Sequence, residues 1–209
     1  MKRDQIKTVI FDLGGVILNI DPPKTARILQ SYDHSVSISF IYEELKKKQV
    51  FERFETGEIS PKEFRDHVNA YFNTKLSDEQ IDFAWNAMLL DYPTERLELI
   101  KSLRKEFKIY LLSNTNEIHV AAFEKIASSA HAGLQLVDLF DKVYYSNEIG
   151  MRKPNAEIFQ YVLNQNNLQA ESTLFLDDYP HNTKAANELG INTVTIQDTN
   201  IIEVFENLK

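Results

Sequence analysis

Short apolar runs recur along the chain, at Thr8-Val9-Ile10-Phe11, Ile109-Tyr110-Leu111-Leu112, Val143-Tyr144-Tyr145, Thr173-Leu174-Phe175-Leu176 and Thr193-Val194-Thr195-Ile196. Runs of this length without a regular polar face predict strands covered on both sides. Between the later runs the apolar residues take helical spacing, as at Ile158, Phe159 and Val162 and again at Ile201, Val204, Phe205 and Leu208. Strand and helix in alternation predict an α/β core, a parallel sheet with helices on both faces. Pro154 and Gly190 read as punctuation, at a helix start and a helix end.

From about Leu18 to Tyr92 the alternation stops. Helical spacing continues without a strand: Ile41, Leu45 and Phe54, then Phe64, Val68 and Tyr71-Phe72, then Ile81, Trp85 and Met88. Ser60-Pro61-Lys62-Glu63 and Ser77-Asp78-Glu79-Gln80 each match a capping box, the first with Pro at the opening helical position. An all-helical insert over 18–92 is expected, with the core formed by 1–17 and 93–209. Phe40, Tyr42, Phe51, Phe54, Trp85 and Tyr92 read mostly as the insert's own core, with one or two facing a ligand.

At 209 residues and 43% hydrophobic content the chain can bury a main domain and a small accessory one. The absence of cysteine removes disulfides, thiol catalysis and thiolate zinc sites. Met1 to Gln5 lead straight into a short strand with no signal-peptide core, and nowhere do about 18 apolar residues run together, so a soluble cytoplasmic protein is expected. The net charge of -8 opposes nucleic-acid binding, and Lys46-Lys47-Lys48 read as a solvated helix face. An acidic protein that handles a small anion needs local positive charge, which Lys153 and a divalent cation would supply.

Four segments carry candidate chemistry: Asp12 after the first apolar run, Ser113-Asn114 after the second, Lys153-Pro154, and Asp177-Asp178 followed by Asn182. Singly they read as a strand-to-loop turn, an N-cap, a helix start and a polar turn. As an ordered set they supply a carboxylate nucleophile, a hydroxyl donor, a cation and a paired-acid metal site, the equipment for moving a phosphoryl group. The set resembles the four motifs of the haloacid dehalogenase superfamily, whose members are mostly phosphatases. Similarity extends to Phe54-Glu55-Thr56-Gly57-Glu58-Ile59-Ser60, Ser113-Asn114-Thr115-Asn116 and Gly150-Met151-Arg152-Lys153-Pro154. Among members it is most similar to bacterial sugar 1-phosphate phosphatases.

The resemblance implies a Rossmann-like core, a helical cap that closes over the site, and a small phosphorylated metabolite as substrate. It makes Asp12 the nucleophile that becomes an aspartyl phosphate. Ser113 would donate to a phosphoryl oxygen with Asn114 nearby, and Lys153 would hold Asp12 and balance developing charge. The family's topology sets the strand ending at Leu176 beside the first, so Asp178 faces Asp12 across a gap suited to Mg²⁺. Matching the acidic loop at Ala185-Ala186 makes Asp178 a metal ligand with Asp12 and the Gly14 carbonyl, and leaves Asp177 and Asn182 to orient them.

One departure stands out. Most phosphatases of the superfamily carry a second aspartate two residues after the nucleophile, as acid and then base, where this chain has Gly14. Asp21 reads first as a turn or N-cap residue before Pro22-Pro23, with a stand-in for the missing acid as its second reading. His34, His67, His119, His131 and His181 show no metal-ligand spacing, and only His181 lies in the acidic loop. A metal-independent 2-haloacid dehalogenase also lacks the second acid, but its acidic loop lacks the Asp177-Asp178 pair. Gly14 also motivates a weakly active or non-catalytic phosphate-binding relative.

Overall fold

The computed structural model describes residues 2–32, 49–72 and 74–208. Expectations resting on His34, Phe40, Ile41, Tyr42, Leu45 and Lys46-Lys47-Lys48, and on the side chain of Phe72, lie outside the described residues. All five apolar runs form strands: β1 (Thr8–Phe11), β2 (Lys108–Ser113), β3 (Lys142–Tyr145), β4 (Thr173–Asp177) and β5 (Asn192–Thr195). They make one parallel sheet in the order β3-β2-β1-β4-β5. Side chains alternate between its faces. Val9, Phe11, Leu111 and Leu176 enter one apolar cluster with Leu97, Ile100, Phe123 and Phe205, whereas Ile10, Leu112 and Phe175 enter another with Ile158, Phe159 and Val162. Helices therefore cover both faces, which is the α/β Rossmann-like arrangement expected.

The described residues between β1 and β2 contain helices α1 (Pro22–Tyr32), α2 (Val50–Glu55), α3 (Pro61–Phe72) and α4 (Asp78–Asn86), followed by α5 (Thr94–Leu103) against the sheet. Both capping boxes form: Ser60 N–H donates to Glu63 at 2.8 Å while Glu63 N–H donates to Ser60 Oγ at 3.3 Å, and Ser77 and Gln80 exchange the same pair. The insert has its own core, with Leu29, Val50, Phe54, Phe64 and Ile81 buried together and the Phe54 and Phe64 rings stacked at 4.4 Å. Its entry and exit run side by side, since Asp21 N–H donates to Met88 O at 2.8 Å and Leu90 N–H to Asn19 O at 3.0 Å.

Two expectations change. Tyr92 is buried in the main core, its hydroxyl donating to Phe123 O at 3.4 Å, because the exit segment has already returned to the sheet there. Pro154 does not open a helix: Asn155 is the N-cap of the helix that starts at Ala156, and Pro154 lies in the preceding turn. Gly190, at φ 84°, follows the helix ending at Glu188 as expected.

Candidate active site

Parallel strands end together, so residues just past β1, β2 and β4 collect at one edge. Phe11 sits beside Leu111 and Leu176, and Asp12 N–H donates to Leu176 O at 2.8 Å. This register sets Asp12 next to Asp177 and brings Ser113 to the same edge. Lys153, from the loop after α7 (Ser146–Ile149), reaches under them with its side chain 1% exposed. Its ammonium lies 2.8 Å from Asp12 Oδ1 and 2.6 Å from Asp177 Oδ2, and donates to Leu112 O at 2.9 Å. An ammonium has three protons. All three are engaged, and the group acts as a clamp on Asp12.

The clamp is held from both sides. Asn114 grips the Lys153 backbone, its Nδ2 donating to Lys153 O and its Oδ1 accepting from Lys153 N, each at 2.9 Å. Asp177, fully buried, accepts from Tyr179 N–H at 2.8 Å and from Asn182 Nδ2 at 2.9 and 3.1 Å. The loop after β2 is fastened by Thr115 N–H to Ser146 Oγ at 2.8 Å. Asp178 lies against Gly15, where φ is +71° and a Cβ would overlap the Asp178 carboxylate, so only glycine allows this approach.

Asp12, Asp177 and Asp178 each bring a carboxylate oxygen within 4.8 Å of the others. Three carboxylates against one ammonium leave an excess of negative charge. Burial, with Asp177 and Asp178 opposing Lys153, pushes Asp12 up to about 7, and burial with Asp177 pushes Asp178 up to about 6. Burial works against the Lys153 charge, but Asp12 and Asp177 outweigh it and raise its pKa. A hard, all-oxygen donor set with unneutralised charge fits a divalent cation such as Mg²⁺. Gly14, Ser113 and Asp178 line the same small cleft, of about 150 Å³.

A cavity of about 650 Å³ adjoins this cleft, sharing Met88, Asn114 and His119 with it. The insert supplies Phe51, Glu52 and Trp85 to its wall and the core supplies Asn116, His119 and Arg152. Arg152 pairs with Glu55 across the junction at 2.8 and 3.0 Å, so two of the segments singled out in the sequence meet here. His119 is neutral, its pKa pushed down to about 4 by burial, and its ring stacks on Trp85 at 5.0 Å. Asn116 caps α6 (Glu117–Ala130) through His119 N–H at 3.1 Å and accepts from Trp85 Nε1 at 3.4 Å. Phe51 and Trp85 are among the aromatics of which one or two are expected to face a ligand, whereas sequence reasoning missed Asn116 and His119 in this wall, although the two carried an N-cap spacing. His181 stacks on the exposed Tyr179 at the cavity mouth at 5.1 Å, and Arg27 engages the Asp21 carboxylate at 2.5 Å. A larger hollow of about 910 Å³ beside Arg65, Asn86 and Lys125 contains none of the acidic cluster.

Among known proteins, the family model described as haloacid dehalogenase-like hydrolase matches residues 6–190. The chain is 31% identical over 188 residues to D-ribitol-5-phosphate phosphatase of Bacteroides thetaiotaomicron, covering 90% of each. It is 28% identical over 198 residues to glyceraldehyde 3-phosphate phosphatase of Methanocaldococcus jannaschii, covering 93% of this chain and 75% of the relative. The crystal structure of a HAD family enzyme from Bacteroides thetaiotaomicron, in complex with magnesium and inorganic phosphate, superposes with a TM-score of 0.83 at 38% identity, covering 91% of this chain and 93% of that one.

Proposed function

The chain belongs to the haloacid dehalogenase-like hydrolase family as a phosphoric monoester hydrolase, and from that premise we propose that it is a Mg²⁺-dependent cytoplasmic phosphatase of a small sugar or sugar-alcohol phosphate. The supporting observation is the buried Lys153 clamp on Asp12 beside Asp177 and Asp178. The relatives named above, one for ribitol 5-phosphate and one for glyceraldehyde 3-phosphate, support a short polyhydroxylated substrate.

Asp12 attacks phosphorus in line; the bond to the ester oxygen breaks, the leaving oxygen departs with the electron pair and takes a proton from solvent water, and an aspartyl phosphate forms. Water then attacks that phosphorus, releasing inorganic phosphate and restoring Asp12. Lys153 aims Asp12 and favours its ionised form against the burial that raises its pKa, Asn114 sets the turn that carries Lys153, and Asp177 with Asn182 holds the ammonium in place. Ser113 donates to a phosphoryl oxygen. Asp12, Asp178 and the Gly14 carbonyl would hold Mg²⁺, which supplies positive charge against the phosphoryl oxygens. The helical insert, with Tyr92 assigned to the core, serves as the cap and closes the cavity around the leaving group.

Phosphate release from a panel of sugar and sugar-alcohol monophosphates tests the reading. Turnover is expected with Mg²⁺, lost in EDTA, and absent in Asp12→Asn, whose amide keeps the shape but not the nucleophile. Chloride release from a 2-chloroacid in EDTA, with no phosphatase activity, would overturn it in favour of the dehalogenase.

A further inference from the structure

Arg152 has more donors than its partner uses. A guanidinium carries five N–H groups in a planar fork. Glu55 Oε2 takes Nε at 3.0 Å and Nη2 at 2.8 Å, which leaves both protons of Nη1 and one of Nη2 without an acceptor among the described residues. Those donors are not sealed in. The Arg152 side chain keeps 27% of its surface, Nη1 is not among the fully buried polar atoms that lack a partner, and Arg152 lines the cavity that adjoins the acidic cleft. Arg152 also precedes Lys153 on the turn that Asn114 grips, so the open donors and the ammonium that clamps Asp12 belong to one fixed segment.

Charge decides what kind of acceptor belongs there. Glu55 matches the guanidinium, and Glu52, three residues earlier on α2, adds a second acid to the same wall, so its described residues carry no surplus positive charge. Donors without surplus charge suit a neutral oxygen, and an added anion would meet both acids where repulsion is poorly screened. Resting on the phosphatase reading, we propose that Arg152 is a specificity-determining residue: its Nη1 donates to a hydroxyl oxygen of an uncharged, polyhydroxylated leaving group. Glu55 is its positioning residue, since holding Nε and Nη2 on one oxygen aims the fork and cancels its charge. The cavity, about 650 Å³, falls in the range that encloses a small ligand. The substrate class is thereby narrowed to monophosphates of neutral polyols and sugars, with phosphorylated sugar acids disfavoured.

The test compares kcat/KM for three esters of one chain length, in the full chain with Mg²⁺: a pentitol 5-phosphate, n-pentyl phosphate and a pentonic acid 5-phosphate. The parent should favour the pentitol over each of the others. Arg152→Met removes the donors, so the pentitol-to-pentyl ratio should fall by about fivefold. Glu55→Gln keeps an oxygen for Nε and Nη2 but leaves the guanidinium charge unopposed, so the pentonate-to-pentitol ratio should rise by about threefold or more, a change that a merely structural pair would not produce. Ratios within one protein cancel any loss of folded enzyme, and the conservative Glu55→Gln carries the test if Arg152→Met does not fold. A pentitol-to-pentyl ratio unmoved in Arg152→Met overturns the contact, and a pentonate-to-pentitol ratio unmoved in Glu55→Gln overturns the charge balance. A parent that prefers n-pentyl phosphate or the pentonate overturns the proposal too, and each of these results leaves the phosphatase reading intact. A parent that hydrolyses none of these esters, nor any on the wider panel, defeats both.

Discussion

Asp12 and Asp178 share a physical condition, carboxyls raised by burial to about 7 and about 6. A raised carboxylate is protonated in the folded chain at pH values where the unfolded chain has already released its proton. Without metal, stability should therefore fall as pH rises from about 4 to about 7. A divalent cation needs both groups ionised, so the apparent Mg²⁺ affinity should climb from pH 5.5 to 7.5 and level off above that. Isothermal titration at three pH values reads this out, and an affinity flat across that window would contradict it. Gly14 carries a second prediction. Without an acid two residues after Asp12, the rate should depend on how well the leaving oxygen bears charge, so sugar 1-phosphates should outrun matched 6-phosphates. A Cβ at Gly14 would meet Ile20 Cδ1 at 3.4 Å, ordinary contact, so the position can carry a side chain. Gly14→Asp should then raise kcat/KM for 6-phosphates more than for 1-phosphates, by a share of the about 10²- to 10⁴-fold that positioned proton transfer supplies. A parent that prefers 6-phosphates would point to another acid.

The helices of the insert were legible because their signals are local. A capping box is a bond between residues three apart, and both boxes formed as read from Ser60 and Ser77. The junction with the core was not legible, since it joins residues distant along the chain. Glu55 on α2 meets Arg152 in the loop after α7, and Gly57, at φ +70°, lies where a Cβ would run into the Asn147 carbonyl. Arg152→Met leaves the half-buried Glu55 of the cavity wall without its partner and should cost about 1 kcal/mol of stability. Adding Glu55→Gln should return most of that loss. Urea unfolding of the two single variants and the double measures the coupling, and additive effects would show that the pair does not tie insert to core.

At the scale of the whole molecule the acidic cluster should couple stability to a divalent cation. Mg²⁺ at about a hundred times its dissociation constant should stabilise the fold by about 2.7 kcal/mol, a thermal midpoint higher by several degrees in a chain of this size, reversed by EDTA. Asp178→Ala should lose most of this shift. Asp177→Ala should instead lower the midpoint of the metal-free protein, because Asp177 holds Lys153, Tyr179 N–H and Asn182 together; equal metal responses in the two variants would refute the division. No helix among the described residues is long and apolar enough to cross a membrane. The parallel sheet, its five strands, the helical insert and the gathering of Asp12, Ser113, Asp177 and Asp178 at one edge were all readable from the sequence. Strand period, helix period and capping are set by residues within a few positions of one another, and a parallel sheet carries every strand end to the same side. Only the tertiary structure decided that Lys153 spends all its protons on Asp12, Asp177 and Leu112, that Tyr92 belongs to the main core, and that Glu55 of the insert pairs with Arg152 of the core. Those outcomes depend on distances between separately formed elements, which close packing fixes and no local pattern encodes.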